Sequence, residues 1–264
     1  IDASVEPGLA DNGDLESDLT ALLEAAGQAA KAAGRPLAIY IDELQYVEET
    51  QLAALITALH RCSQLQLPVV LFGAGLPQLR GQMGNAKSYA ERLFEYPMIG
   101  ALSPEAARDA LVLPAEREGV AFDEAALALI MAKTARYAYF LQEWAKHTWD
   151  IAPGPTITED DVVRADAIAL SALDESFFLV RFDRLTPAEK RYIRAMAELG
   201  AGPHRTGAIA EVLKRPVSSL APVRANLIRK GMIWGPSHGD TAFTVPLFED
   251  FVQRVMPGDS WRAD

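Results

Sequence analysis

Residues 37–43, Leu-Ala-Ile-Tyr-Ile-Asp-Glu, constrain the fold of this chain more than any other stretch. A continuous apolar run of this length predicts a strand buried on both faces, and such strands belong to parallel sheets. Two adjacent carboxylates, Asp42 and Glu43, close it. Neighbouring residues of a strand point to opposite faces, so both acids reach one ligand only where the strand ends and the backbone turns. Ligands of open parallel sheets sit at those carboxyl ends. A plainer reading stands beside this one: a helix follows, and its dipole favours acids in its first turn.

The elements around the run alternate. Residues 1–14, rich in Asp, Gly and Pro, read as loop. Leu15, Leu19, Leu22, Leu23 and Ala26 then repeat at helical spacing up to a break at Gly34-Arg35-Pro36. Beyond the strand, Leu52, Leu55, Ile56, Leu59 and Cys62 share a helix face, while Gln45, Glu48 and Glu49 read as solvated positions. A second apolar run, residues 68–72, closes on Gly73-Ala74-Gly75, and Tyr96–Leu102 predicts a third strand after a further helix. This alternation predicts an α/β fold whose parallel sheet is covered on both faces.

From Ser103 the pattern is all helical. Ser103-Pro104-Glu105 is a helix start, and further helices are expected over 122–133, 137–151 and 158–178, with a break at 152–155. Tyr139, Phe140, Trp144 and Trp149 lie at helical spacing and are expected in the core. Thr186-Pro187-Ala188-Glu189 is a capping box opening a helix with Ile193, Met196 and Leu199 on one face. Helices over Thr206–Leu213 and Ser218–Lys230 follow, then a hairpin of 232–234 with 241–245. Three helices and a hairpin make the winged-helix order.

A chain of 264 residues suits two or three domains. Its longest apolar run, Leu67–Leu76, is too short to cross a bilayer, and no signal peptide opens the sequence, so no membrane partner is expected. One cysteine, Cys62, excludes an internal disulfide framework, which makes the cytoplasm the expected location. The first residue is Ile rather than Met, as in a fragment of a longer polypeptide. The net charge of −11 is uneven: residues 184–264 carry +4 and residues 1–183 carry −15. Nucleic acid is therefore open as a partner of the C-terminal part only. His60, His147, His204 and His238 lack ligand spacing, so no metal site of their making is expected.

Taken in order, LAIYIDELQYV, LPVVLFGAGLPQL, SYAERLFEY and YFLQEWAKHTWD, ahead of the winged-helix pattern, resemble the bacterial P-loop ATPases of the AAA+ class. The relatives in view are the origin-recognition-complex-like and STAND ATPases, and the resemblance runs from about Leu15 to Val255. It implies ATP and Mg²⁺ as cofactors and makes residues 37–43 a Walker B strand. Asp42 corresponds to the Mg²⁺-organising acid, acting through water, and Glu43 to the acid that activates the attacking water. Gly73-Ala74-Gly75 falls at the sensor 1 position, which in relatives offers a polar side chain and here does not. Arg92 lies where such proteins place an arginine finger, with a surface pair to Glu91 or Glu95 as the alternative. Arg136 corresponds to a sensor 2 cation, although Ala135-Arg136-Tyr137-Ala138 stands where relatives carry Gly-x-Pro.

The chain departs from the family in one large respect. No G-x-x-x-x-G-K-S/T phosphate loop occurs in it. The resemblance places that loop's strand between the one ending near Gly73 and Tyr96–Leu102, so two strands should be left with unpaired edges. The chain alone is expected to bind ATP weakly or not at all, and to be inactive.

In the third winged-helix helix, Leu220, Val223 and Leu227 turn inward, which sets Ser219, Arg224, Asn226 and Arg229 outward, flanked by Lys214, Arg215 and Lys230, with His238 in the turn of the hairpin. Such a surface suits DNA phosphates. In relatives the module also packs on the ATPase core or binds protein partners, and self-association is a further possibility. The sequence thus divides into a P-loop-type core lacking its phosphate-loop strand (1–102), a helical lid (103–180) and a winged helix (181–264). Two functions compete: a nucleotide-driven switch or motor, and a non-enzymatic DNA-binding or scaffold module with vestigial ATPase residues.

Overall fold

The structure, a computed structural model, describes residues 13–262. Most of the loop expected over 1–14 lies outside the described residues. The chain divides between Met98 and Ile99 into two compact units.

In the first unit, α1 (Leu15–Ala32) begins at Asp14, whose carboxylate accepts from the amide of Ser17. It is followed by β1 (Leu37–Ile41), a 3-10 turn (Leu44–Tyr46), α2 (Glu49–Gln64), β2 (Val69–Gly73), α3 (Leu79–Ala86) and α4 (Ala90–Leu93). The strands β1 and β2 pair in parallel, in register from Leu37–Val69 to Ile41–Gly73. One face of the pair, Ile39, Ile41, Val69 and Leu71, packs on a core of Leu23, Leu44, Leu52, Ile56, Leu59, Cys62 and Met83. A Cβ on Gly27 of α1 would lie 2.9 Å from Cγ2 of Val69, so glycine sets how closely this helix lies on the sheet. Leu15 and Leu22 stay exposed, which makes the inward stripe of α1 narrower than its leucines suggest.

Two expectations fail in this unit. Among the described residues the sheet is covered on one face only: Tyr40 and Phe72 are 76% and 53% exposed. Their rings stack across the bare face with centroids 5.1 Å apart. Nor do residues 96–102 form a strand, and Ile99 is 94% exposed. The second failure has a direct physical cause. A strand exists only by pairing, and among the described residues none lies where the expected intervening strand would pair with 96–102.

In the second unit, α5 (Pro104–Arg117) is capped by Ser103, whose hydroxyl accepts from Ala106. Then come β3 (Ala121–Phe122), α6 (Glu124–Lys133), α7 (Ala138–Ile151), β4 (Thr156–Ile157) and α8 (Glu159–Leu173). A π turn over Asp174–Phe178 leads directly into α9 (Leu179–Phe182). The parallel pair β3–β4 corrects the purely helical expectation for this stretch. After it, α10 (Pro187–Glu198), β5 (His204–Arg205), α11 (Thr206–Leu213), α12 (Val217–Arg229), β6 (Ile233–Trp234), β7 (Asp240–Phe243) and α13 (Phe248–Val255) complete the chain. The strands form an antiparallel sheet in the order β5-β7-β6. Sequence reasoning missed β5 and α13, although Phe248, Phe251 and Val252 bury at helical spacing.

Thr158–Asp161 and Thr186–Glu189 close reciprocal capping boxes at the starts of α8 and α10. The core runs without interruption from Leu111, Phe140 and Trp144 through Phe178 and Phe182 to Ile193, Leu227 and Phe251. It therefore crosses residue 180 rather than stopping there. Tyr139 and Trp149, expected in the core, lie at its rim and are exposed. Trp261 is buried with the guanidinium groups of Arg194 and Arg262 over its ring, at 5.0 and 4.4 Å.

Candidate functional site

At the end of β1 the backbone turns on Glu43, which adopts the left-handed conformation at φ 56° and ψ 36°. Only glycine enters that region without cost; other residues spend roughly 1–2 kcal/mol there. Neighbouring bonds hold the turn. Ala74 donates to the carbonyl of Ile41 at 2.9 Å and Leu44 donates to the carbonyl of Ala74 at 3.0 Å. The carboxylate of Asp42 accepts from the amide of Glu43 at 2.8 Å. Both acids are exposed at the carboxyl end of a parallel strand.

Gln45 organises this corner. It is 7% exposed, which corrects the solvated position expected for it. Its Nε2 donates to the carboxylate of Glu43. Its Oε1 accepts from the amide of Leu76 at 3.0 Å, and its carbonyl accepts from Nε2 of Gln82 at 3.3 Å. The loop after β2 is glycine-rich for a steric reason. A Cβ on Gly73 would collide with Cδ1 of Leu44, and one on Gly75 would lie 2.7 Å from Oε1 of Gln45 and 2.9 Å from Cδ2 of Leu79. The side chains of Leu44 and Gln45 thus take the space that a side chain at position 73 or 75 would need. In the sequence, the only trace of this was the glycine pair itself.

The remaining residues singled out from the sequence fall in both units. Arg92 is exposed on the single turn α4 of the first unit. Arg136 belongs to the second unit, where Ala135 and Arg136 are both left-handed. Its Nε donates to the carbonyl of Leu102 at 3.0 Å, and its own carbonyl accepts from Leu102 at 3.0 Å. This double tie fixes the start of α5 to the loop before α7.

On α12, Arg224 turns back onto the antiparallel sheet. Its Nε donates to Oγ1 of Thr241 at 2.9 Å and its Nη2 to the carbonyl of Asp240 at 2.8 Å. Lys230 donates to Oε2 of Glu189 at 2.7 Å and to the carbonyl of Arg184 at 2.8 Å. Arg229 pairs with the side chain of Asn226 on the outer face, and Arg215 is exposed beyond α11. Of the five side chains read as facing nucleic acid, Arg224 and Lys230 are engaged in holding the domain together.

Glu189 is almost fully buried, which by itself would push its carboxyl up. The bonds from Lys230 and Thr186 outweigh this and hold it below the ordinary value. Asp161 is also held low, first by the backbone of Thr158, then by its hydroxyl and by Arg164.

The Walker-type ATPase paby2304 of Pyrococcus abyssi superposes with a TM-score of 0.61 at 15% identity, over 89% of this chain and 68% of that one. The chain has a P-loop ATPase-like fold. Thermotoga maritima RuvB, a Holliday junction branch migration motor, aligns at a TM-score of 0.44 and 15% identity over 82% of this chain and 71% of that one. Residues 175–252 match a domain of unknown function, DUF8462. No curated protein sequence matches the chain. No described helix is long and apolar enough to cross a membrane.

Proposed function

We propose that this chain is the Walker B half of an AAA+ ATPase related to the origin-recognition-complex-like and STAND ATPases, acting as a nucleotide-driven switch. The observation that carries the reading is the pair Asp42 and Glu43, turned out together at the carboxyl end of β1, where parallel sheets bind ligands. Two oxygen-only groups there fit Mg²⁺, which Asp42 would hold through water. Glu43 would then take the proton of the attacking water. Mg²⁺, when bound, would neutralise charge on the phosphates.

The phosphates themselves find no grip in these 264 residues, because no glycine-rich loop with its lysine is present. A segment or chain beyond them is proposed to supply that loop and its strand, and the bare face of Tyr40 and Phe72 accords with such a completion. Residues 103–180 would act as the lid and 181–264 as the winged helix, with Arg92 and Arg136 as finger and sensor cations.

Titration calorimetry with Mg·ATP tests this reading. The chain alone should bind weakly or not at all. A polypeptide that adds a G-x-x-x-x-G-K-S/T segment should bind and hydrolyse ATP, and Glu43→Gln should abolish hydrolysis. Micromolar affinity in the chain alone would overturn the half-site.

The glycines at the sensor 1 position favour a second reading, a scaffold with vestigial ATPase residues that contacts DNA or protein through its C-terminal part. For DNA the surface is Asn226 and Arg229. A salt-dependent gel shift that disappears in Arg229→Ala supports it; no shift at low salt removes DNA as a partner.

A further inference from the structure

We infer that Gln45 is a positioning residue, which holds the carboxylate of Glu43 to the loop following β2. The inference rests on the ATPase reading above and gives a function to a residue that reading does not use. Gln45 stands two residues beyond Glu43, yet its side chain turns back to it across the left-handed corner. The amide has two ends with separate tasks. Its NH₂ donates to Glu43, and its oxygen accepts from the amide of Leu76. Gln82 fixes the backbone of the same residue through the Gln45 carbonyl at 3.3 Å.

A glutamine is the residue that this geometry demands. A carboxylate at position 45 would accept from Leu76 but repel Glu43, and an aliphatic residue would satisfy neither partner. The glycine at 75 keeps the space open, since a Cβ there would press on the very oxygen that Leu76 binds. Buried and bonded at both ends, the amide fixes one orientation of an exposed carboxylate whose own long side chain would otherwise sample several. A movement of the Gly73–Leu76 loop would be felt at Glu43 through this one side chain.

The test uses the polypeptide that carries both this chain and a phosphate loop. Mg·ATP turnover, nucleotide affinity (from a fluorescent ATP analogue) and the thermal midpoint are measured for wild type, Glu43→Gln, Gln45→Leu and Gln45→Glu. Gln45→Leu is expected to lower kcat by about 10- to 100-fold, the scale of a misplaced catalytic group, with affinity within about twofold. Gln45→Glu keeps the acceptor for Leu76 and loses only the donor. Its kcat should fall at pH 8 and recover relative to wild type as the pH is lowered, because the protonated carboxyl can donate again. Being nearly isosteric, it carries the test if Gln45→Leu does not fold. Retention of wild-type kcat in both Gln45 variants, with Glu43→Gln inactive, overturns this inference alone. Parallel loss of kcat, affinity and thermal midpoint also overturns it, since the role would then be structural. Absence of hydrolysis in wild type, or full activity in Glu43→Gln, overturns the ATPase reading and this inference with it.

Discussion

Leu44 fills the volume that any side chain at position 73 would need. Its Cδ1 sits 2.3 Å from where the Cβ of a substituted Gly73 would be built, so strand end and loop are packed backbone against side chain. Gly73→Ala should therefore destabilise the first unit by about 1–3 kcal/mol, the usual cost of overpacking. Gly81, inside α3, has nothing within 4 Å of its Cβ position, and Gly81→Ala should stabilise by about 0.5–1 kcal/mol. Urea unfolding of the two variants checks the opposite signs.

Substitutions at Glu43 should separate stability from chemistry. Glu43→Gly relieves the left-handed strain and is expected to unfold within about 1 kcal/mol of wild type. Glu43→Val places a branched Cβ in that conformation and should cost about 1–2 kcal/mol. Both remove the carboxylate, so a stable Gly variant would show that the acid is kept for a reason other than folding.

Acid should weaken the second unit through Glu189 and Asp161. Both carboxyls are held below their ordinary values of 4.5 and 3.8, so each contributes stability that is fully present above that value. That contribution is lost as the pH falls through the lower folded value. Glu189→Gln should cost stability at neutral pH, and its deficit relative to wild type should narrow as the pH drops below about 4.5. Chemical denaturation across a pH series measures the gap; a gap constant with pH would refute the assignment.

The basic residues of the C-terminal part should sort by partner. Lys230→Met leaves Glu189 buried without its cation and should cost about 2 kcal/mol, below the range for fully buried pairs because Lys230 is a third exposed. Arg224→Met should cost about 1–3 kcal/mol by removing the bond to Thr241, which is fully buried. Arg229→Ala should stay within about 0.5 kcal/mol. Thermal or urea denaturation checks all three.

What the sequence made legible followed local rules. The cap at Ser103, the box at Thr186–Glu189, the inner face of α2 and the bounds of α11 all rest on residues within a turn or two of one another. The errors arose where distant chain decides. Residues 96–102 have strand composition but lack a neighbour, and Tyr40 and Phe72 were expected under a layer that the described residues do not provide. In the candidate site, the acids were visible as a pair. The importance of Gln45 was not, because its partners Leu76 and Gln82 are more than thirty residues away.

Residues 159–182 form one unbroken helical rod, α8, π turn and α9. At the π turn, Phe177 stacks on Tyr139 of α7 at 5.1 Å, while Phe178 meets Phe248 and Phe251 of α13 at 5.5 and 5.2 Å. The wide turn thereby gears α7 to α13 through a train of rings, each worth roughly 0.5–1.5 kcal/mol beyond its buried area. Torque applied at α7 reaches the far end of the second unit unless the rings unstack. A swing of residues 181–264 against 103–180 would have to break these ring contacts.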